Sequence, residues 1–246
     1  MRAPTETTIA APSFLTHLKW VNVPTVRLDR LKGPMLVEFW DFCRPNSLRT
    51  LPYLKAWHER YATEGLCVVG IHCPGFEPGH SRQEVKDAVA RLGISYPVLI
   101  DSELEMWELY GNQGWPARYL FDAQQHLFEY HYGEGAYRET ELAIQELLGV
   151  ARALVDPIHP EDIEGAVLEA QTADLQGPYS GPYEAGGVWA IFHGSGTVQV
   201  NGIELAVTHP GAYPLIEHER HTEGVLDLEL GDGVQCLATC FTPGVC

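Results

Sequence analysis

Two folding units are predicted: an α/β unit with a central mixed sheet flanked by helices, followed by a small all-β sandwich. Three observations carry this expectation. Up to about residue 150, short apolar runs at 36–40 and 66–72 alternate with stretches whose apolar residues recur at helical spacing. Between 151 and 186, Gly and Pro become frequent and no long apolar period survives. Beyond 187, period-2 alternation and Gly-rich turns prevail. The expected division is an α/β domain over 1–150, a linker over 151–186 with one short helical or extended stretch at 166–170, and a β-sandwich over 187–246.

With 246 residues and 45% hydrophobic content, the chain has enough apolar material for such cores. Its formal charge is −17, and after residue 150 the only Lys or Arg residues are Arg152 and Arg220. A field of that sign repels phosphates, which excludes nucleic acid and anionic membrane as partners of the second half. The six cysteines, Cys43, Cys67, Cys73, Cys236, Cys240 and Cys246, lack the dense spacing of a disulfide scaffold and form no Cys-x-x-Cys pair. No structural zinc, other metal or cofactor is therefore expected. No apolar core of a leader opens the chain and no later run is long enough to span a membrane, so the expected location is cytoplasmic.

In chain order, residues 11–35 read as an extended arm, with Pro24 and a Lys32-Gly33-Pro34 turn before the first central strand. Leu36, Val37, Phe39 and Trp40 form that strand. It breaks at Asp41-Phe42-Cys43-Arg44-Pro45-Asn46-Ser47 into a helix whose apolar residues are Leu48, Leu51, Leu54, Trp57 and Tyr61. Pro52 falls inside this helix. A second buried strand is read over 65–74, with Cys73 at its C-terminal end; Cys67, within it, reads as an inert core thiol. Ser81-Arg82-Gln83-Glu84 has the form of a capping box for a helix ended by Gly93. A short strand at 96–101 and a helix marked by Leu104, Trp107 and Tyr110 follow. Next come a strand after Trp115-Pro116, a turn at 122–125, an alternating strand at 127–132 and a helix at 139–148.

The segment FWDFCRPNSLRTLPYLKAWHERY resembles the FWTYSCINCLRTLPYL-type segment of thioredoxin-like proteins of the DipZ-like and TlpA/ResA-like branch. It aligns without a gap through Trp40, Asn46 and Leu48-Arg49-Thr50-Leu51-Pro52. The resemblance implies a thioredoxin fold and thiol–disulfide oxidoreductase chemistry, but the Cys-x-x-Cys motif is degenerate. In the ungapped register the two redox positions are Arg44 and Ser47, and Cys43 falls one residue early, where relatives fused to NHL repeats carry an extra cysteine. A rival register takes Cys43 as nucleophile and Asn46 as its lost partner, at the cost of an insertion before Leu48.

The same resemblance places a buried proton acceptor at Glu38, a cis-proline strand at Trp115-Pro116, and peptide-contacting groups at Trp40, Trp115 and Pro116. The implied partner is a protein or peptide thiol or disulfide. An Arg44 guanidinium next to Cys43 would favour its thiolate. Cys73 is expected to face the same rim as Cys43, where the two either remain separate thiols or stand in for the missing pair.

Strands at 188–192, 197–202, 224–230 and 234–241 resemble the C-terminal, carbohydrate-binding-module-like sandwich of DipZ-like proteins. That likeness implies a glycan ligand stacked on Tyr179, Tyr183, Trp189 or Tyr213, against the alternative that these rings fill the core. His218 and His221 lie on a Glu-rich loop that reads as solvated rather than metal-binding. Cys236 and Cys240, four apart on one strand, are expected to share a face. Two functions are thus open: a thiol oxidoreductase acting through Cys43, with Glu38 managing protons and Ser47 unable to resolve the mixed disulfide, or a redox-inactive binding module for peptide or glycan partners. Oligomeric state is not legible.

Overall fold

The computed structural model describes residues 1–3 and 8–246. They fall into two compact units, Met1–Phe42 with Asn46–Asp156, and Pro157–Cys246 with Cys43–Pro45.

The first unit is built on six strands: β1 (Lys19–Val21), β2 (Met35–Trp40), β3 (Cys67–His72), β4 (Val98–Ile100), β5 (Ala117–Phe121) and β6 (Leu127–Tyr132). Their spatial order is β1-β4-β3-β2-β5-β6. β2, β3 and β4 run parallel, while β1, β5 and β6 pair antiparallel to their neighbours. Because side chains alternate along each strand, the sheet has two distinct faces. Met35, Val37 and Phe39 meet Val69, Ile71, Leu99, Tyr119 and Phe121 in one apolar core. Leu36, Glu38 and Trp40 point the other way. Burying each of these large apolar side chains contributes about 1.5–3 kcal/mol.

Four helices complete the unit: α1 (Pro45–Tyr61), α2 (Arg82–Arg91), α3 (Glu105–Tyr110) and α4 (Tyr137–Leu148). Helix α1 continues through Pro52, and Tyr53 stacks on Tyr137 of α4 with ring centroids 3.8 Å apart. Ser81 caps α2 by accepting the Glu84 N–H, as the sequence predicts. The 122–125 turn closes on Asp122, whose Oδ1 accepts the N–H groups of Gln124 and His126.

The second unit contains β7 (Leu168–Glu169), β8 (Leu175–Gln176), β9 (Gly181–Gly194), β10 (Gly196–Val200), β11 (Ile203–Val207), β12 (Gly211–Leu226), β13 (Leu228–Leu230), β14 (Val234–Thr242) and β15 (Gly244–Val245). A four-stranded sheet, β12-β9-β14-β8, and a three-stranded sheet, β11-β10-β13, share one core that includes Val188, Ala190, Phe192, Val198, Val200, Val207, Leu226 and Phe241. β7 and β15 form a separate antiparallel pair.

Three expectations change here. Residues 151–186 hold more than the one short stretch expected at 166–170. Their first part is fastened to the first unit, where the Arg152 guanidinium donates to the Arg60 carbonyl, and the Val155 N–H donates to Glu141 Oε2. β7 lies in the expected stretch, and the last part also holds β8 and the start of β9, strands too short or too rich in Gly and Pro to show a period. The long β12 was also hidden, because its pairing with β9 slips between Glu217 and Thr222, so 218–221 form a four-residue excursion against one residue of β9. Finally, Cys236 and Cys240 do not share a face. Cys236 pairs with Phe192 and Ala238 with Ile191, so the bulge at Leu237 inverts the alternation. Cys236 lies in the core beside Phe241, and Cys240 takes the opposite side.

Candidate functional site

β2 ends at Trp40 and α1 begins at Pro45, so the residues between must turn within one short segment. Pro45 opens the helix, where a missing N–H costs nothing. The Ser47 hydroxyl reaches back and accepts the Asp41 N–H at 3.2 Å, which ties the first turn of the helix to the end of the strand. Thr50 Oγ1 donates to the Asn46 carbonyl and shares a hydrogen bond with the Tyr137 hydroxyl, both at 3.0 Å. Arg49 pairs with Glu134 at 2.8 Å. Within this turn Cys43 is fully buried, Arg44 is half-buried and Ser47 is buried.

Glu38 is fully buried on the face of β2 away from the apolar core described above. Its direct neighbours in the sheet are Gly70 on β3 and Arg118 on β5. Neither carboxyl oxygen has a hydrogen-bond partner, and Nε and Nη1 of Arg118 also lack one. Nη2 of Arg118 donates to the Gly135 carbonyl, and its guanidinium carbon sits 5.0 Å from the Tyr137 ring centroid. Removal from water pushes the Glu38 carboxyl up to about 8, with the Arg118 charge acting in the opposite sense. A carboxyl poised there exchanges its proton near neutral pH, as general acid–base chemistry requires.

Gly70 makes room beside this acid. A Cβ at that position would stand 3.0 Å from Trp40 Nε1 and 3.2 Å from the Tyr96 ring. Trp40, expected to contact peptide, is consequently core: it is 2% exposed and packs edge-on against His72 at 5.1 Å. His72 is also stacked on Phe42, and its Nε2 lies 3.4 Å from Asp41 Oδ1. The other Asp41 oxygen accepts the Gly75 N–H at 2.8 Å.

Cys73 departs from the expected rim position. Alternation along β3 sets it with Val69 and Ile71, inside the apolar core. Its thiol donates to Asp101 Oδ2 at 3.3 Å. Burial and the Asp101 carboxylate hold its pKa well above the ordinary thiol range, so it is the least nucleophilic form of a cysteine. No disulfide joins Cys43 and Cys73. Burial likewise pushes the Cys67 thiol up to about 11, as an inert core cysteine requires.

The Trp115–Pro116 bond is cis. Trp115 is half-buried, lies 4.2 Å from Trp107 between ring centroids, and donates its indole N–H to the Cys73 carbonyl at 2.9 Å. Pro116 is buried. Thus Glu38, Cys73 and the cis-proline segment belong to neighbouring strands of the first unit, with Trp40 and Cys73 turned inward.

Sequence reasoning overlooked Arg118, Tyr96, Asp41, His72 and Asp101. A signal existed for Arg118, a charged residue inside the otherwise apolar Ala117–Phe121 strand. For the others the pairing emerges only from strand register.

In the second unit, the anticipated sugar-stacking platform is not formed. Tyr183 and Tyr213 belong to the core, Trp189 is 7% exposed, and the half-buried Tyr179 gives its hydroxyl to the Pro182 carbonyl. Among the described residues no group of three or more His, Cys, Asp or Glu side chains is arranged to hold a metal ion. No helix among them is long and apolar enough to cross a membrane.

No family model matches the chain. Among curated proteins it is similar to protein DipZ of Mycobacterium tuberculosis (strain CDC 1551 / Oshkosh), with 34% identity over 146 residues, covering 58% of this chain and 21% of DipZ. The chain therefore corresponds to about a fifth of that relative's length. It is also similar to the thiol-disulfide oxidoreductase YkuV of Bacillus subtilis (strain 168), with 24% identity over 139 residues, covering 56% of this chain and 93% of YkuV. Among solved structures, the thioredoxin-like superfamily protein SPOA0173 superimposes with a TM-score of 0.53 at 21% identity, over 58% of this chain and 99% of its own. The sheet, the helices and these likenesses identify a thioredoxin fold followed by additional antiparallel sheets, and one of the relatives, YkuV, is a thiol-disulfide oxidoreductase.

Proposed function

We propose that this protein is of the thiol–disulfide oxidoreductase type with an altered site, acting through the single cysteine Cys43 on a protein or peptide disulfide. The observation that carries the reading is Glu38. A fully buried carboxyl without a hydrogen-bond partner costs stability, and a passive scaffold has no use for one. Its ionisation near pH 8 suits a group that accepts a thiol proton.

In this reading Glu38 takes the proton of Cys43. The thiolate then attacks one sulfur of the partner disulfide, forming a mixed disulfide and expelling the other sulfur as thiolate. Arg44 and Ser47 occupy the two redox positions of the ungapped register. Ser47 cannot attack the mixed disulfide, so an external thiol must release the product. The half-buried Trp115 and the cis Pro116 segment supply the surface along which an extended peptide lies.

The test is reaction with glutathione disulfide, using a Cys246→Ser variant to remove the exposed thiol, followed by mass-spectrometric mapping. A glutathione adduct on Cys43, reversed by added thiol, is expected. Adducts that spare Cys43 contradict the proposal.

A second reading, a peptide-binding module without turnover, is favoured by one observation: Cys43 is fully buried and the Ser47 hydroxyl is committed to the Asp41 N–H. In that case peptide binding persists in Cys43→Ser, and no mixed disulfide forms.

A further inference from the structure

Buried polar atoms without a protein partner are few in native proteins. Among those of the first unit are both Glu38 oxygens, the Tyr96 hydroxyl, Arg118 Nε and Nη1, the Trp40 and Trp57 indole nitrogens, and His58 Nδ1. Three of these residues, Glu38, Tyr96 and His58, follow one another in a series. Gly70, directly opposite Glu38, leaves the space into which the Tyr96 ring fits. The Glu38 charge acts on the fully buried Tyr96. The Tyr96 ring in turn lies 5.8 Å from that of His58 on α1, and His58 is only half-buried, so the series runs from the sheet to the surface.

We infer that Tyr96 and His58 are the proton route between Glu38 and solvent, with bound water bridging the orphaned atoms. This rests on the role of Glu38 proposed above and adds the residues that serve it. On loss of a proton, the Glu38 carboxyl hands it to bridging water, the Tyr96 hydroxyl accepts one proton while passing on its own, and His58 Nδ1 accepts the last. The carboxylate and an imidazolium result, and the imidazolium discharges to bulk solvent. Burial lowers the His58 pKa and so keeps the ring neutral and ready to accept. The other ionisable groups around Glu38 do not offer this exit. Arg118 on β5 offers donors and no acceptor, His72 on β3 is fully buried against Phe42 and Trp40, and Tyr137 on α4 is bonded to Thr50.

The experiment follows the infrared band of the protonated Glu38 carboxyl, assigned as the band absent from Glu38→Gln, after a rapid jump from below to above the pH of its ionisation. Tyr96→Phe and His58→Ala are each expected to slow its loss by about tenfold or more, and added imidazole is expected to restore the rate in His58→Ala. A merely structural role for His58 would not respond to imidazole. Wild-type rates in either variant, or no rescue, overturn the route. That failure is distinct from failure of the proposed function, which shows instead as an unchanged Cys43 reaction in Glu38→Gln.

Discussion

Glu38 is opposed in its charged form by burial, and this makes a prediction about stability as well as chemistry. Its folded pKa, about 8, lies above the unfolded value of 4.5. Between those limits the native state holds more protons than the unfolded chain, so this group's contribution to stability is complete at low pH and is lost as pH rises through about 8. At 1.36 kcal/mol per unit, the loss has an upper bound of about 5 kcal/mol. Glu38→Gln should remove this decline, which denaturant titrations across the range will measure. A parallel decline in both proteins would contradict the assignment. Ser47→Ala leaves the Asp41 N–H without its partner and is expected to cost about 1–3 kcal/mol in the same titrations. The position of Glu38 was legible because an acid inside an apolar strand is conspicuous. Its partner Arg118 and the inward turn of Cys73 were not, since both depend on register across strands distant in sequence.

At the scale of elements, the strand–turn–helix at β2 and α1 was readable from periodicity and from Pro45. Which residues hold the two redox positions is a finer matter. If the ungapped register is right, Arg44→Cys with Ser47→Cys creates a dithiol at the start of α1 and should confer insulin-disulfide reduction. Asn46→Cys, which pairs with Cys43 in the rival register, should not; activity in the second variant alone would favour the rival. Gly70 shows what strand patterns conceal. Its place in β3 looks like a weak point in an apolar strand, yet the missing side chain admits Trp40 and Tyr96. Gly70→Ala should therefore cost about 1–3 kcal/mol through overpacking, and a neutral result in thermal unfolding would mean that the rings yield freely. The bulge at Leu237 carries the same lesson, since one inserted residue sends Cys236 and Cys240 to opposite faces.

For the whole molecule, the succession of an α/β unit and an all-β unit was plain from the change in period, because each unit must bury its own core. The boundary was less so. Arg152 is fixed by the Arg60 carbonyl of α1 and Val155 by the Glu141 side chain of α4, contacts that Gly and Pro content cannot foretell. The aromatic residues of the second unit were misleading in the opposite way: they suit a binding platform by type, but Tyr183 and Tyr213 are needed inside a small sandwich. The core there is tight around Phe192, which is fully buried, and Phe192→Ala should cost about 3–5 kcal/mol.

The central claim joins Cys43 to Glu38, and the most direct measurement is the rate of Cys43 glutathionylation against pH in the wild type and in Glu38→Gln. The wild-type rate is expected to climb as Glu38 ionises near pH 8, and the variant is expected to lose that step and react about a hundredfold more slowly. Identical profiles in the two proteins, or no modification of Cys43 in either, would contradict it.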